Sequence, residues 1–422
     1  MNMPVSTASC ERLKLSQFQN LCMQLLLKQL GAIQKGCLLL HMGDNEPLIL
    51  GEAGHPLKVK LVVNDPHFFE AVIFGGSVGA AESYMAGEWH SDNLTVLVRL
   101  LVRNRDLVDG MEQGLARITG WLLQGVHWLR RNTRDGSRKN IAAHYDLGNE
   151  LFELFLDRDF MMYSAGLYYQ DGESLERAQF NKLGRLCDKL DLQPDDHLLE
   201  IGTGWGGCAI FAALHYGCRV TTTTISREQY EYAVKRVQAL DLQDKVTVLL
   251  KDYRDLNGQY DKLISIEMVE AVGHHFIDDY FRRCSELLKP EGLAIIQAIT
   301  LEDHRYLQAL KSVDFIKRYI FPGSFIPCVS VLVDAAAKAE LKLTNLEDIG
   351  PSYATTLRAW RERFMAQLDE VKRLGYDERF IRMWEFYLCY CEGGFIERSI
   401  SDVHLLFSKP DNRSEQWLPQ YA

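Results

Sequence analysis

"HLLEIGTGWGG" (197–207) decides how the chain is read. Its first residues are apolar enough for a buried strand, and Gly202, Gly204 and Gly206 then follow at every second position. Glycines at a strand's end let the backbone turn sharply and approach a ligand closely. The next stretch, "WGGCAIFAALHY" (205–216), has helical apolar spacing. The segment therefore reads strand, glycine turn, helix.

Outward from it the alternation continues. Strands are expected at "RVTTTTI" (219–225), "VTVLLKD" (246–252), "DKLISIEM" (261–268) and "GLAIIQAIT" (292–300). Helices are expected at "SREQYEYAVKRVQAL" (226–240) and "HFIDDYFRRCSELL" (275–288). Near-continuous apolar strands joined by helices imply an α/β fold, a Rossmann-like parallel sheet covered on both faces. The tail adds "KLTNLEDIG" (342–350), helices and a last strand near "DVHLLFSKP" (402–410).

The N-terminal part is built differently. "PLKVKLVVND" (56–65) alternates like a strand, and helical patterns around a Gly-rich turn dominate to about residue 130. The polar run "RRNTRDGSRKN" (130–140) reads as a linker. The expected organisation is a smaller, mostly helical domain over 1–130, a linker over 131–140 and a sheet domain over 141–422.

A net charge of −10 excludes nucleic acid as the main partner, because phosphate neutralisation needs a basic surface. The ten cysteines show no CxxC pair and no His/Cys cluster at metal spacing, so structural thiols, no metal and a reducing cytoplasm are expected. The start has no secretion-signal pattern, and no uncharged apolar run reaches the roughly 20 residues that span a bilayer. The amphipathic stretch 13–30 is expected to pack on its own domain or to lie on a membrane.

The glycine turn lacks the spacing of a dinucleotide fingerprint, and the second strand ends in hydroxyls, "TTTTIS" (221–226). Glu200 before the glycines and Asp252 after the third strand suit a ligand with an amino acid part and an adenine amine. That pattern resembles S-adenosylmethionine methyltransferases.

With these residues in view, the chain resembles the cyclopropane fatty acid synthase family over nearly its full length. The motifs are "HYDLGNELF" (144–152), "MYS" (162–164), "LLEIGTGWGG" (198–207), "TTISREQ" (223–229), "KDYRDL" (251–256), "EMVEAVG" (267–273) and "RYIFPG" (318–323), in family order. "ESYMAGEW" (82–89) looks like the family's N-terminal extension. The resemblance implies transfer of a methyl carbon from S-adenosylmethionine to the cis double bond of an acyl chain in a membrane phospholipid, closing a cyclopropane ring. It also implies a cytoplasmic protein bound peripherally to the inner face of the membrane; the residues do not give the oligomeric state, for which the resemblance makes a homodimer plausible. For that surface, 310–327 mixes Lys311, Lys317 and Arg318 with aromatics.

Carried over by position, Tyr163 and Ser164 touch the methionine end of the cofactor and Gly202 and Gly204 cradle it. Thr224 and Gln229 reach the ribose, and Asp252 with Tyr253 meets the adenine. In relatives, a glutamate just after the fourth strand and a tyrosine hold a bicarbonate ion that acts as base. These fall on Glu270 and Tyr353, whereas Glu267 reads as structural. Aromatic faces to stabilise a cation are ample, among them Tyr163, Tyr319, Phe321 and Phe325.

Two residues depart from the family pattern. Ala165 stands where relatives have cysteine, and Gln297 where they have a histidine. Gln297 still donates a hydrogen bond; an alanine side chain cannot. The catalytic set expected from the sequence is Glu270, Tyr353 and Gln297. Bicarbonate bound by fewer groups, Glu270 acting directly, or another proton path with a methyl-branched or methylene product are the open alternatives. His274, His275 and His304 are competing bases by position. A soluble acceptor or a non-catalytic role is the alternative outside lipid chemistry.

Overall fold

The computed structural model describes residues 14–44, 46–113 and 147–415. The linker expected at 131–140 and the residues His144–Asp146 of the first motif lie outside these. The chain forms two compact units. One comprises Met1–Leu129, Lys311–Ile320 and Leu357–Ser399; the other comprises Arg130–Leu310, Phe321–Thr356 and Ile400–Ala422.

The first unit carries a four-stranded sheet of β1 (Cys37–Met42), β2 (Leu48–Gly51), β3 (Lys58–Val63) and β4 (Trp89–Ser91), in the order β2-β1-β3-β4. Helix Gln17–Leu30 opens with a capping box, in which Ser16 accepts from the Gln19 N–H and the Gln19 side chain accepts from Ser16. It buries Cys22, Leu26 and Leu30 and exposes Phe18, Leu21 and Leu25. The Gly-rich helical stretch is one helix, His67–Met85, broken by Gly76 at φ 57°. Helix Glu378–Ile396 packs on Leu94–Arg103 so closely at Gly393 that an added Cβ would lie 2.7 Å from Val98.

The second unit is the expected α/β sheet. Its strands are β5 (His197–Ile201), β6 (Arg219–Thr224), β7 (Val246–Leu250), β8 (Tyr260–Ile266), β9 (Leu288–Leu301), β10 (Lys342–Asp348) and β11 (Ile400–Ser408), in the order β10-β11-β9-β8-β5-β6-β7. β5 to β9 run parallel, as their helical crossovers require. The wholly parallel sheet expected from the sequence is corrected at one edge, where β11 pairs antiparallel with both β9 and β10. The tail reaches β9 without a crossover, so nothing forces a parallel return.

Adjacent apolar residues along each strand divide between two cores. Leu199, Leu263, Ile296 and Leu405 enter one. Leu198, Ile264, Ile295 and Leu406 enter the other, beneath helix Leu175–Lys189. Each such side chain contributes about 1.5–3 kcal/mol by leaving water. All nine cysteines among the described residues are free thiols, eight of them buried. Among the described residues no helix is long and apolar enough to cross a membrane, and no cluster of His, Cys, Asp and Glu forms a metal site.

Candidate active site

The ligand edge is built where β5 turns. Gly202, Gly204 and Gly206 all have positive φ, at 106°, 51° and 86°. Their space differs. A Cβ on Gly207 would meet the Phe160 carbonyl oxygen at 2.2 Å, whereas one on Gly204 would meet nothing within 4 Å. Gly207 is therefore small for packing, and Gly204 leaves room for a ligand to lie against the backbone. A Gly204→Val variant fills that space at a backbone strain of roughly 1–2 kcal/mol. It is expected to weaken S-adenosylmethionine binding at least about tenfold, measured by titration calorimetry, while remaining folded.

Around this turn stand the other residues expected from the sequence. Thr224 donates from its hydroxyl to Gln229 Oε1 at 2.9 Å, so strand end and helix start form one buried unit. Asp252, buried, accepts from Arg254 Nε at 2.8 Å and Nη2 at 2.6 Å, which matches its charge. Tyr253 packs edge-on to Tyr280. Glu200 is enclosed within the fold on the face opposite Ile201, beside Thr222 and Cys208, and burial pushes its carboxyl up to about 7.

The loop before the sheet carries Tyr163 and Ser164. Asp157 shapes it by accepting the N–H groups of Phe160, Met161 and Met162. The Tyr163 ring meets Phe152 at 5.2 Å and Phe321 at 6.3 Å, an aromatic wall within this unit. Ser164 Oγ accepts from Lys182 Nζ at 2.9 Å. Lys182 is fully buried, and desolvation lowers its pKa against the raising effect of Glu267, Asp157 and Asp402.

The catalytic set assembles differently from the sequence expectation. Tyr353 donates to Glu267 Oε2 at 2.7 Å, not to Glu270. The Gln297 amide donates to Glu267 Oε1 at 2.9 Å and to Asp402 Oδ2 at 2.7 Å. The Ala165 N–H donates to Glu267 Oε1 at 2.8 Å. The physical reason is the end of β8: the Glu267 N–H still bonds the Gln297 carbonyl at 2.8 Å, but φ turns to +47°, which aims the side chain back at the loop and at β9. Such a φ costs a non-glycine residue about 1–2 kcal/mol. Strain of this kind gathers at working positions.

Glu270 stands apart. Its Oε1 accepts the Ile299 N–H at 2.5 Å, and its Oε2 is buried without a hydrogen-bond partner among the described residues. Burial, then the nearby Glu267 charge, pushes its carboxyl up to about 8. Asp402 is driven well above the ordinary range by burial and by Glu267. Burial raises Glu267 too, but its Tyr353 and Ala165 donors and Lys182 oppose the shift, so of the two carboxyls Asp402 is held the further above its ordinary range. Glu267 is half-buried, while Gln297, Asp402 and Ala165 are fully buried.

Sequence reasoning missed Asp157, Lys182 and Asp402. The available signal was parity: Glu200, Gln297, Asp402 and His404 all fall on the face beneath helix Leu175–Lys189, in strands that otherwise read as apolar. The three histidines considered as bases, His274, His275 and His304, are exposed. In the first unit, Arg318 pairs with Glu82 and Lys317 donates to the Ser312 carbonyl, so these cations are engaged internally.

A family model described as mycolic acid cyclopropane synthetase matches residues 132–405. Tuberculostearic acid methyltransferase UfaA1 of Mycobacterium tuberculosis is 40% identical over 339 residues, 76% of each chain. Cyclopropane-fatty-acyl-phospholipid synthase of Escherichia coli K12 is 38% identical over 368 residues, covering 86% of this chain and 90% of that one. The crystal structure of mycolic acid cyclopropane synthase CmaA1 complexed with SAH and CTAB has a TM-score of 0.61 at 27% identity, covering 64% of this chain and 98% of that one. The resemblance carried by the seven motifs holds, and so does the methyltransferase sheet behind the glycine turn. The chain is an S-adenosylmethionine-dependent methyltransferase and belongs to the mycolic acid cyclopropane synthetase family.

Proposed function

We propose that the enzyme transfers the methyl carbon of S-adenosylmethionine to the cis double bond of an unsaturated acyl chain in a membrane phospholipid, forming a cyclopropane ring. The observation that carries this reading is similarity to a cyclopropane-fatty-acyl-phospholipid synthase across 86% of the chain, a span that takes in more than the methyltransferase sheet. Support for a lipid surface comes from the helix Gln17–Leu30, whose exposed Phe18, Leu21 and Leu25 share one face.

S-adenosylmethionine supplies an electrophilic methyl. Within this reading the Gly202–Gly204 backbone, the Thr224–Gln229 unit and Asp252 hold its methionine, ribose and adenine parts. The rings of Tyr163, Phe152 and Phe321 face the positive charge that develops on the acyl chain once the alkene has taken the methyl. A neighbouring base then removes a proton.

A methyl-branched or methylene product is the second reading, favoured by the 40% identity to a tuberculostearic acid methyltransferase. A base held by three hydrogen bonds takes whichever C–H lies before it, and that choice sets the product. Methyl-deuterated S-adenosylmethionine with vesicles of cis-unsaturated phospholipid separates the readings by mass spectrometry. A labelled methylene gained with loss of alkene reactivity is the expected result. A gain that keeps the alkene, or retains the whole labelled methyl, supports the second reading. No gain, with cofactor binding intact, overturns both and points to a soluble acceptor.

A further inference from the structure

The groups expected around a bicarbonate ion are gathered, but on a carboxylate that the chain itself supplies. The Ala165 N–H, the Gln297 amide and the Tyr353 hydroxyl all end on Glu267. A separate planar anion at this place needs the same three donors, and it meets the Glu267 charge at close range. The residues present therefore do not fit bicarbonate.

We propose that Glu267 is a built-in replacement for an external anion and the proton acceptor of the reaction proposed above, on which this inference rests. One C–H bond of the transferred methyl breaks, and its electron pair closes the third carbon–carbon bond of the ring. The proton passes to the Glu267 carboxylate, discharging the positive charge that came with the sulfonium.

Three independent features support this. Glu267 holds φ +47°, where glycine is unstrained, so the backbone tolerates a strained glutamate for the sake of its side chain. Ala165 is fully buried and adds to the site only its N–H, leaving the carboxylate room that a longer side chain fills. Asp402 and Lys182 form the buried surroundings of that charge, one sharing the Gln297 amide and the other a cation that lowers the Glu267 pKa.

The test uses wild type, Glu267→Gly and Glu267→Gln in buffer freed of carbon dioxide, with ¹³C-labelled bicarbonate followed by NMR line broadening. Wild type is expected to show no bicarbonate binding and no change of turnover when bicarbonate is added. Glu267→Gly, which also relieves the strained φ, is expected to lose turnover about a hundredfold with S-adenosylmethionine affinity within about twofold. It is expected to bind bicarbonate and to recover at least about tenfold in activity with bicarbonate or formate. Glu267→Gln, which keeps the shape without the charge, is expected to be equally slow and not rescued. Bicarbonate binding to wild type, or turnover by either variant at the wild-type rate without added anion, overturns the proposal. The NMR arm needs no lipid, so absence of any lipid product from wild type tells against the proposed function alone. Should Glu267→Gly lose cofactor binding, Glu267→Gln and the wild-type NMR decide.

Discussion

Glu270→Gln is expected to match wild type in stability near pH 4 and to exceed it by about 5 kcal/mol at pH 9. The Glu270 carboxyl is raised from an ordinary 4.5 to about 8, by burial first and by the Glu267 charge second. Between those values the folded protein keeps a proton that the unfolded chain has released. Stability therefore falls as pH rises through this window and levels off above about 8. Glutamine never ionises, so the variant escapes the loss, and its carbonyl still accepts the Ile299 N–H. Urea midpoints from pH 4 to 9, with an unchanged slope, measure the gap. At pH 7 the variant resembles the protonated acid it replaces and is expected to keep turnover within about tenfold. A gap that stays flat with pH, together with abolished turnover, returns Glu270 to the catalytic role that the resemblance implies.

Lys182→Met is expected to cost about 3–5 kcal/mol, the usual effect of removing one partner from a buried set of charges. Methionine nearly conserves volume, so the loss reports charge and the Ser164 hydrogen bond rather than a cavity. With the cation gone, Asp157 and Glu267 keep their hydrogen-bond donors but lose the one positive charge that opposes their burial, and the Glu267 proton affinity rises. The acidic limb of the pH–rate profile should then move to higher pH, since more acid is needed out of the way before Glu267 ionises. Chemical denaturation and the rate profile read the two effects separately. A loss below about 1 kcal/mol would mean that burial has already neutralised Lys182 in the folded protein.

Parts of the site were legible because they depend on neighbours in sequence. The Thr224–Gln229 pair and the Ser226 cap arise within one strand-to-helix turn. Asp252 and Arg254 are two residues apart. The acid that receives the Ala165, Gln297 and Tyr353 donors was not legible. Glu267 and Glu270 are three residues apart in one motif, and the motif alone favours Glu270. What turns the donors to Glu267 is a backbone angle at the end of β8, together with Gln297 brought alongside by β9 and Tyr353 by a later helix. Asp402 lies 105 residues from Gln297 and joins the site only because β11 pairs beside β9.

By itself the sequence determined the alternation of strands and helices, the glycine turn and the cofactor class, because apolar period and glycine φ are local properties of the chain. The antiparallel edge of the sheet, the buried Lys182 and the gathering of three donors on Glu267 were decided only by tertiary structure. Strand order and the parity of polar residues across neighbouring strands depend on pairings between distant segments, and no local pattern records them.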